Sequence, residues 1–193
     1  MNRPDLNTLS KEVFEANKAK GFHDVELSNE TLLMLVITEL SEAVEADRKS
    51  KRANLERFLK RIETSRSYKG LIPEITPDRA YEVIYNETIK GSIEEELADA
   101  VIRLLDLAGL RGCDHLKDLL LCPTVSDKKN FPDNIFAICT DLIYYKYTVS
   151  ERISFALLNI EYLCKLLSID LWQHVSLKLK YNQTRPIKHG KNY

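Results

Sequence analysis

The chain has 193 residues, enough for one sizeable core and short for two full domains, so a single domain over 1–193 is expected. Apolar residues make up 44% and charged residues 30%, with only 6 Gly and 6 Pro, which leaves too few turn residues for a β-sandwich and favours helices. Lys plus Arg (28) nearly cancels Asp plus Glu (29), so bulk charge gives no reason to expect nucleic acid or another polyanion as partner.

The opening MNRPDLNTLSKEV lacks the apolar run of a secretory signal and no later stretch reaches membrane-spanning length, so a cytoplasmic protein without membrane contact is expected. A first helix is predicted over about residues 5–20, stopped by Gly21, and a second over about 30–50. Residues 51–91 differ in character: a charged stretch, a loop around Pro73, then a short helix from Thr76-Pro77 to Lys90, together read as an insertion. The next helix begins after Ser92, which pairs with Glu95 as a predicted capping box, and ends near Gly109. Residues 113–130 read as an irregular connection ending in the polar run SDKKN.

Three more helices are predicted: from Pro132 to about Tyr147, from Thr148 with Glu151 as box partner to Ser168, and from Asp170 to about Asn182. The expectation is an all-α helical bundle with a partly helical insertion. Cys113, Cys122, Cys139 and Cys164 lie far apart with no C-x-x-C pair, which suits reduced packing residues. From Lys178 onward the chain carries Lys178, Lys180, Arg185, Lys188 and Lys191 and no acidic residue. This local asymmetry, most of it in a basic tail over 183–193, could equally be solvated surface. Trp172 reads as core, and His115, His174 and His189 show no ligand spacing.

The helix ETLLMLVITELSEAVEADRK shows an apolar stripe through Leu32, Leu35, Val36, Leu40, Ala43 and Ala46. At about 100° per residue, Glu39 falls inside that stripe and Glu42 at its edge. A carboxylate among leucines is expected only when protonated, paired or bound to a cation. The helix SIEEELADAVIRLLDLAG repeats the pattern, with Glu96 and Asp99 flanking a face of Ile93, Leu97, Ala100, Val101 and Leu104. Two antiparallel helices, each with carboxylates at i and i+3, can converge four oxygen donors on one volume, a site for Mg²⁺ or Mn²⁺ and not for zinc. An isolated E-x-x-E is usually solvated surface, and Glu94 and Glu95 read as acidic residues drawn to a helix N-terminus by its dipole. The spacing alone leaves both readings open.

TELSEAVEADRK, EEELADAVIRLLDLAG and LKLKYNQTRPIKHGKNY together resemble the MazG-like all-α nucleoside triphosphate pyrophosphohydrolases, whose signature is E-x-x-E followed by E-x-x-D. The lead-in KGFHDVELSNETLLMLVITEL is similar to the first loop and second helix of that family, although His23 stands where the family often has Trp. The resemblance implies that Glu39, Glu42, Glu96 and Asp99 hold Mg²⁺ (or Mn²⁺), with Glu42 helping to activate the attacking water. It implies that Lys178, Asn182 and Arg185 grip phosphate oxygens, with Arg103 a further candidate. A nucleoside triphosphate substrate, products monophosphate and pyrophosphate, and a homodimer or homotetramer follow from the same resemblance. Two alternatives stand beside it: a non-catalytic metal-binding interaction module, and a phosphoribosyl-ATP pyrophosphatase-like activity. The 51–91 segment is longer than the usual family connection.

Overall fold

The computed structural model describes residues 2–67, 76–113, 116 and 123–186. Eight helices and no strand lie among the described residues, so the fold is all-α. α1 (Leu6–Ala19) starts where the Asp5 carboxylate accepts the Thr8 N–H at 2.8 Å and stops before Gly21, whose φ of 77° is comfortable only without a Cβ. α2 (Asn29–Arg48) is capped by Ser28 through the Thr31 N–H.

The 51–91 segment folds as a helical hairpin. Its charged stretch is itself a helix, α3 (Leu55–Ser67), which corrects the expectation of a single short helix there. Leu55, Phe58 and Ile62 recur at helical spacing and face α4 (Pro77–Thr88), with Phe58 almost fully buried. A small aromatic core holds the hairpin: Phe58 meets Tyr81 edge-on, and Tyr85 stacks on Tyr181 of the last helix with ring centroids 4.3 Å apart. The loop around Pro73 lies outside the described residues.

α5 (Ile93–Arg111) runs past its expected end at Gly109 and is closed by left-handed Gly112. α6 (Phe131–Ile143) is shorter than predicted, because the chain turns extended at Tyr144 and the tyrosines after it pack on one another and on Phe155 instead of continuing the helix. α7 (Val149–Leu166) begins with the expected Thr148–Glu151 capping box, and α8 (Leu171–Thr184) with the Asp170 cap.

Helix α5 is the centre of the molecule. Ile93, Leu97, Val101, Leu104, Leu105 and Ala108 are buried on it, and it packs against α2, α1, α8 and α7. Each such aliphatic side chain contributes about 1.5–3 kcal/mol on burial, so α5 anchors the rest. It runs antiparallel to α2. At one end the Ile93 N–H donates to the Lys51 carbonyl at 3.2 Å, and at the other the Arg111 side chain donates to Asn29 at 2.7 Å. Gly109 permits the tight crossing with α1, since a Cβ there would lie 2.4 Å from the Ser10 carbonyl oxygen. Among the described residues no helix is long and apolar enough to cross a membrane.

Candidate functional site

The two carboxylate helices open onto a cleft of about 550 Å³. Glu39, Glu42, Glu96 and Asp99 line it from α2 and α5, and so do Arg103 of α5 and Lys178, Asn182 and Arg185 at the C-terminal end of the chain's last helix. The i, i+3 spacing and the antiparallel pairing suffice to place the acidic side chains together.

One oxygen each from Glu39, Glu96 and Asp99 lies within 4.8 Å of the others. Glu42 lines the same cleft but is exposed and stands outside this group. Glu39 and Glu96 are each 7% exposed, so little water screens them. Burial, then the charges of Glu95, Asp99, Glu42 and Glu39, pushes the Glu96 carboxyl up to about 8. Asp99 is raised to about 6 by burial and by Glu95 and Glu39, against the pull of Lys178. An all-oxygen donor set in which Glu96 and Asp99 are held above the ordinary carboxylate range suits a hard divalent cation, so Glu39, Glu96 and Asp99 fit Mg²⁺ or Mn²⁺.

Two cations already lean on this group. Arg103 donates from Nε to Glu39 at 2.5 Å. Lys178 Nζ is buried and lies 2.5 Å from Glu95 and 2.6 Å from Asp99. Burial alone would lower the Lys178 pKa, yet the charges of Asp99 and Glu95 outweigh it and hold the ammonium protonated. The structure therefore sets Lys178 on carboxylates, whereas the terminal motif aims it at phosphate. Arg185, partly buried with its guanidinium 5.7 Å from the Tyr181 ring, keeps a place at the cleft wall. Lys20 fastens that end of α8, donating to the Asn182 and Arg185 carbonyls.

Glu95 is the residue the sequence reading missed. The Ser92 hydroxyl does accept the Glu95 N–H, at 3.2 Å, but the Glu95 carboxylate does not answer as a capping box. It turns to the Gly91 N–H and to Lys178, and it is 2% exposed. Its i, i+4 relation to Asp99 was the available signal. Lys51, Asn86 and Lys90, all within the 51–91 segment that the sequence presents as an insertion, also line the cleft.

Phe22, Leu27, Leu32, Leu35 and Ile102 give the same cleft an apolar part of its lining. His23 sits there, its Nε2 2.9 Å from Asp106 and its ring tilted against Phe14. Trp172 is core, with its indole N–H donating to Glu161 at 3.1 Å. His174 is buried, its Nδ1 has no hydrogen-bond partner and burial lowers its pKa. Cys139 and Cys164 are free thiols, and Cys122, His115, His189, Lys188 and Lys191 lie outside the described residues.

Comparisons with protein-family models, with curated proteins and with solved structures return no significant match. The family reading rests on the motifs and on the cleft.

Proposed function

We propose that the chain is a MazG-like pyrophosphohydrolase that splits a nucleoside triphosphate, a deoxynucleotide or altered nucleotide, into monophosphate and pyrophosphate. The observation that carries this reading is the convergence of Glu39, Glu96 and Asp99 from two antiparallel helices into one cleft that also holds Arg103 and Arg185. Those three carboxylates would hold Mg²⁺ or Mn²⁺, which when bound supplies positive charge for the bridging phosphates and lowers the pKa of a bound water.

The chain's own groups do the rest. Glu42, exposed at the cleft and on the same helix as Glu39, would accept the proton of the attacking water. As that water bonds to phosphorus, the α–β bridging oxygen leaves with the two outer phosphates as pyrophosphate. Arg185 and Asn182 orient the phosphates from α8, and Arg103 can exchange its Glu39 partner for a phosphate oxygen. The apolar lining residues, Phe22 and Leu35 among them, would give a nucleoside an apolar surface. A homodimer or homotetramer belongs to the same proposal.

A panel of common, deoxy and modified nucleoside triphosphates with Mg²⁺ tests it. Monophosphate and pyrophosphate should appear in equal amounts without a diphosphate intermediate, EDTA should stop the reaction, and Asp99→Ala should abolish it. Orthophosphate as the primary product, or full activity in Asp99→Ala, refutes the reading. A second reading, a non-catalytic module, is favoured by one observation: Lys178 and Arg103 already pair with the acidic group as a self-contained ionic cluster. No hydrolysis of any triphosphate would decide for it.

A further inference from the structure

With Lys178 held by Glu95 and Asp99, a polyphosphate entering the cleft needs other cations. Two face it from the 51–91 segment. Lys51 comes three residues after Arg48, the last of α2, and Lys90 two residues after Thr88, the last of α4, and both are exposed at the cleft wall. Neither has a carboxylate within ion-pairing distance among the described residues.

Their backbones are fixed. The Lys51 N–H donates to the Ala46 carbonyl at 2.9 Å while its own carbonyl accepts the Ile93 N–H. The Lys90 N–H donates to Tyr85 at 3.1 Å. Between Lys90 and α5 the chain turns through Gly91 at φ +70°, and a Cβ on that residue would lie 2.6 Å from the Lys51 ammonium. The Lys51 head thus occupies the space that the missing side chain leaves, beside the turn that carries Lys90. Asn86, on the same wall, accepts the Tyr181 hydroxyl and ties α4 to α8.

We propose that Lys51 and Lys90 form the polyphosphate grip of this cleft, so that the 51–91 hairpin is part of the substrate site and not an appendage. The compact lysine ammonium acts on phosphate as a point charge, and two of them on fixed backbone serve a chain of phosphates in the cleft without Walker-type glycines. The proposal rests on the triphosphate reading only in its choice of ligand.

Calorimetric titration with inorganic tripolyphosphate in Mg²⁺, on the full chain, tests it. Wild type should bind, and Lys51→Gln/Lys90→Gln should weaken binding by roughly tenfold for each lysine removed. Lys51→Arg/Lys90→Arg should bind close to wild type, and melting temperature and Mg²⁺ affinity should not change in either variant. A Gln variant with wild-type tripolyphosphate affinity, or a wild type that binds none, overturns the proposal. Binding that is lost in the Gln variant while wild type turns over no nucleotide keeps the grip and defeats the hydrolase reading. Turnover with an unaltered KM in the Gln variant does the reverse.

Discussion

Replacing Glu96 with Gln removes one charge from the acidic group while keeping the side chain's shape, and its effect has a defined sign. An ordinary Glu gives up its proton near 4.5, whereas folded Glu96 holds it to about 8. Between those values the native state binds more protons than the unfolded state, so stability present in acid is lost as pH rises through the window. Asp99, raised from 3.8 to about 6, adds a loss of the same sign at lower pH. At 1.4 kcal/mol per unit, the Glu96 shift alone sets a ceiling of about 5 kcal/mol. The cleft admits water, and Lys178 and Arg103 offset part of the repulsion, so a loss on the order of 2 kcal/mol is expected. For a chain of this length that is roughly 6 °C in melting temperature.

Thermal melts in EDTA at about pH 5.5 and about pH 8.5 read this difference directly. Wild type should melt lower at the higher pH, Glu96→Gln should lose markedly less, and Mg²⁺ should restore wild type at the higher pH while doing little for the variant. If Glu96→Gln keeps the full wild-type pH slope, the carboxylates do not repel one another as their burial requires. If Mg²⁺ also leaves wild type unmoved, the cation site is refuted with it.

Lys178→Met should do more than weaken a ligand. It strands Glu95 and Asp99 in a buried place, at a cost of about 4 kcal/mol, and a melting temperature unchanged in metal-free buffer would refute the pairing. Gly109→Ala gains helix propensity on paper but drives a methyl group into the Ser10 backbone and the Phe14 side chain. A net loss of about 2 kcal/mol in chemical denaturation is expected, and a stabilised variant would show that α1 does not cross α5 so closely.

Much of the architecture could be read from caps. Asp5, Thr76, Thr148 and Asp170 each start a helix through the side-chain acceptor that such residues offer, and Gly21 stops one where φ turns positive. The acidic pairs were legible because i, i+3 spacing is a local property of a helix. What failed were the features that depend on partners distant in sequence. α3 reads as a charged stretch because its apolar stripe is narrow, and only the aromatic and aliphatic side chains around α4 and α8 give Phe58 something to bury against. The Tyr144–Tyr147 stretch keeps an apolar pattern that suits a helix, yet ring packing on Phe155 ends α6 earlier. Glu95 satisfied a local rule for helix starts, and its real partner is Lys178, 83 residues away.

That first turn of α5 explains why the 51–91 hairpin and the acidic cleft form one unit. Glu94, Glu95 and Glu96 are adjacent and buried, and successive side chains on a helix point about 100° apart, so the three reach three different neighbours. Glu94 takes the base of the hairpin, accepting from Arg52 at 2.6 Å and from the Ala53 N–H at 2.9 Å. Glu95 takes Gly91 and α8, and Glu96 faces Glu39 and Asp99. Three buried carboxylates in a row would be untenable on a helix with a single neighbour, because each needs its own cation or donor or must keep its proton, as Glu96 does up to about 8. Here the helix N-terminus meets the returning hairpin, α8 and the cleft at once, so each carboxylate finds a different answer to its charge. The hairpin's two ends are thereby held at fixed distances from the acidic group, which is the condition for Lys51 and Lys90 to meet one ligand together with Glu39, Glu96 and Asp99.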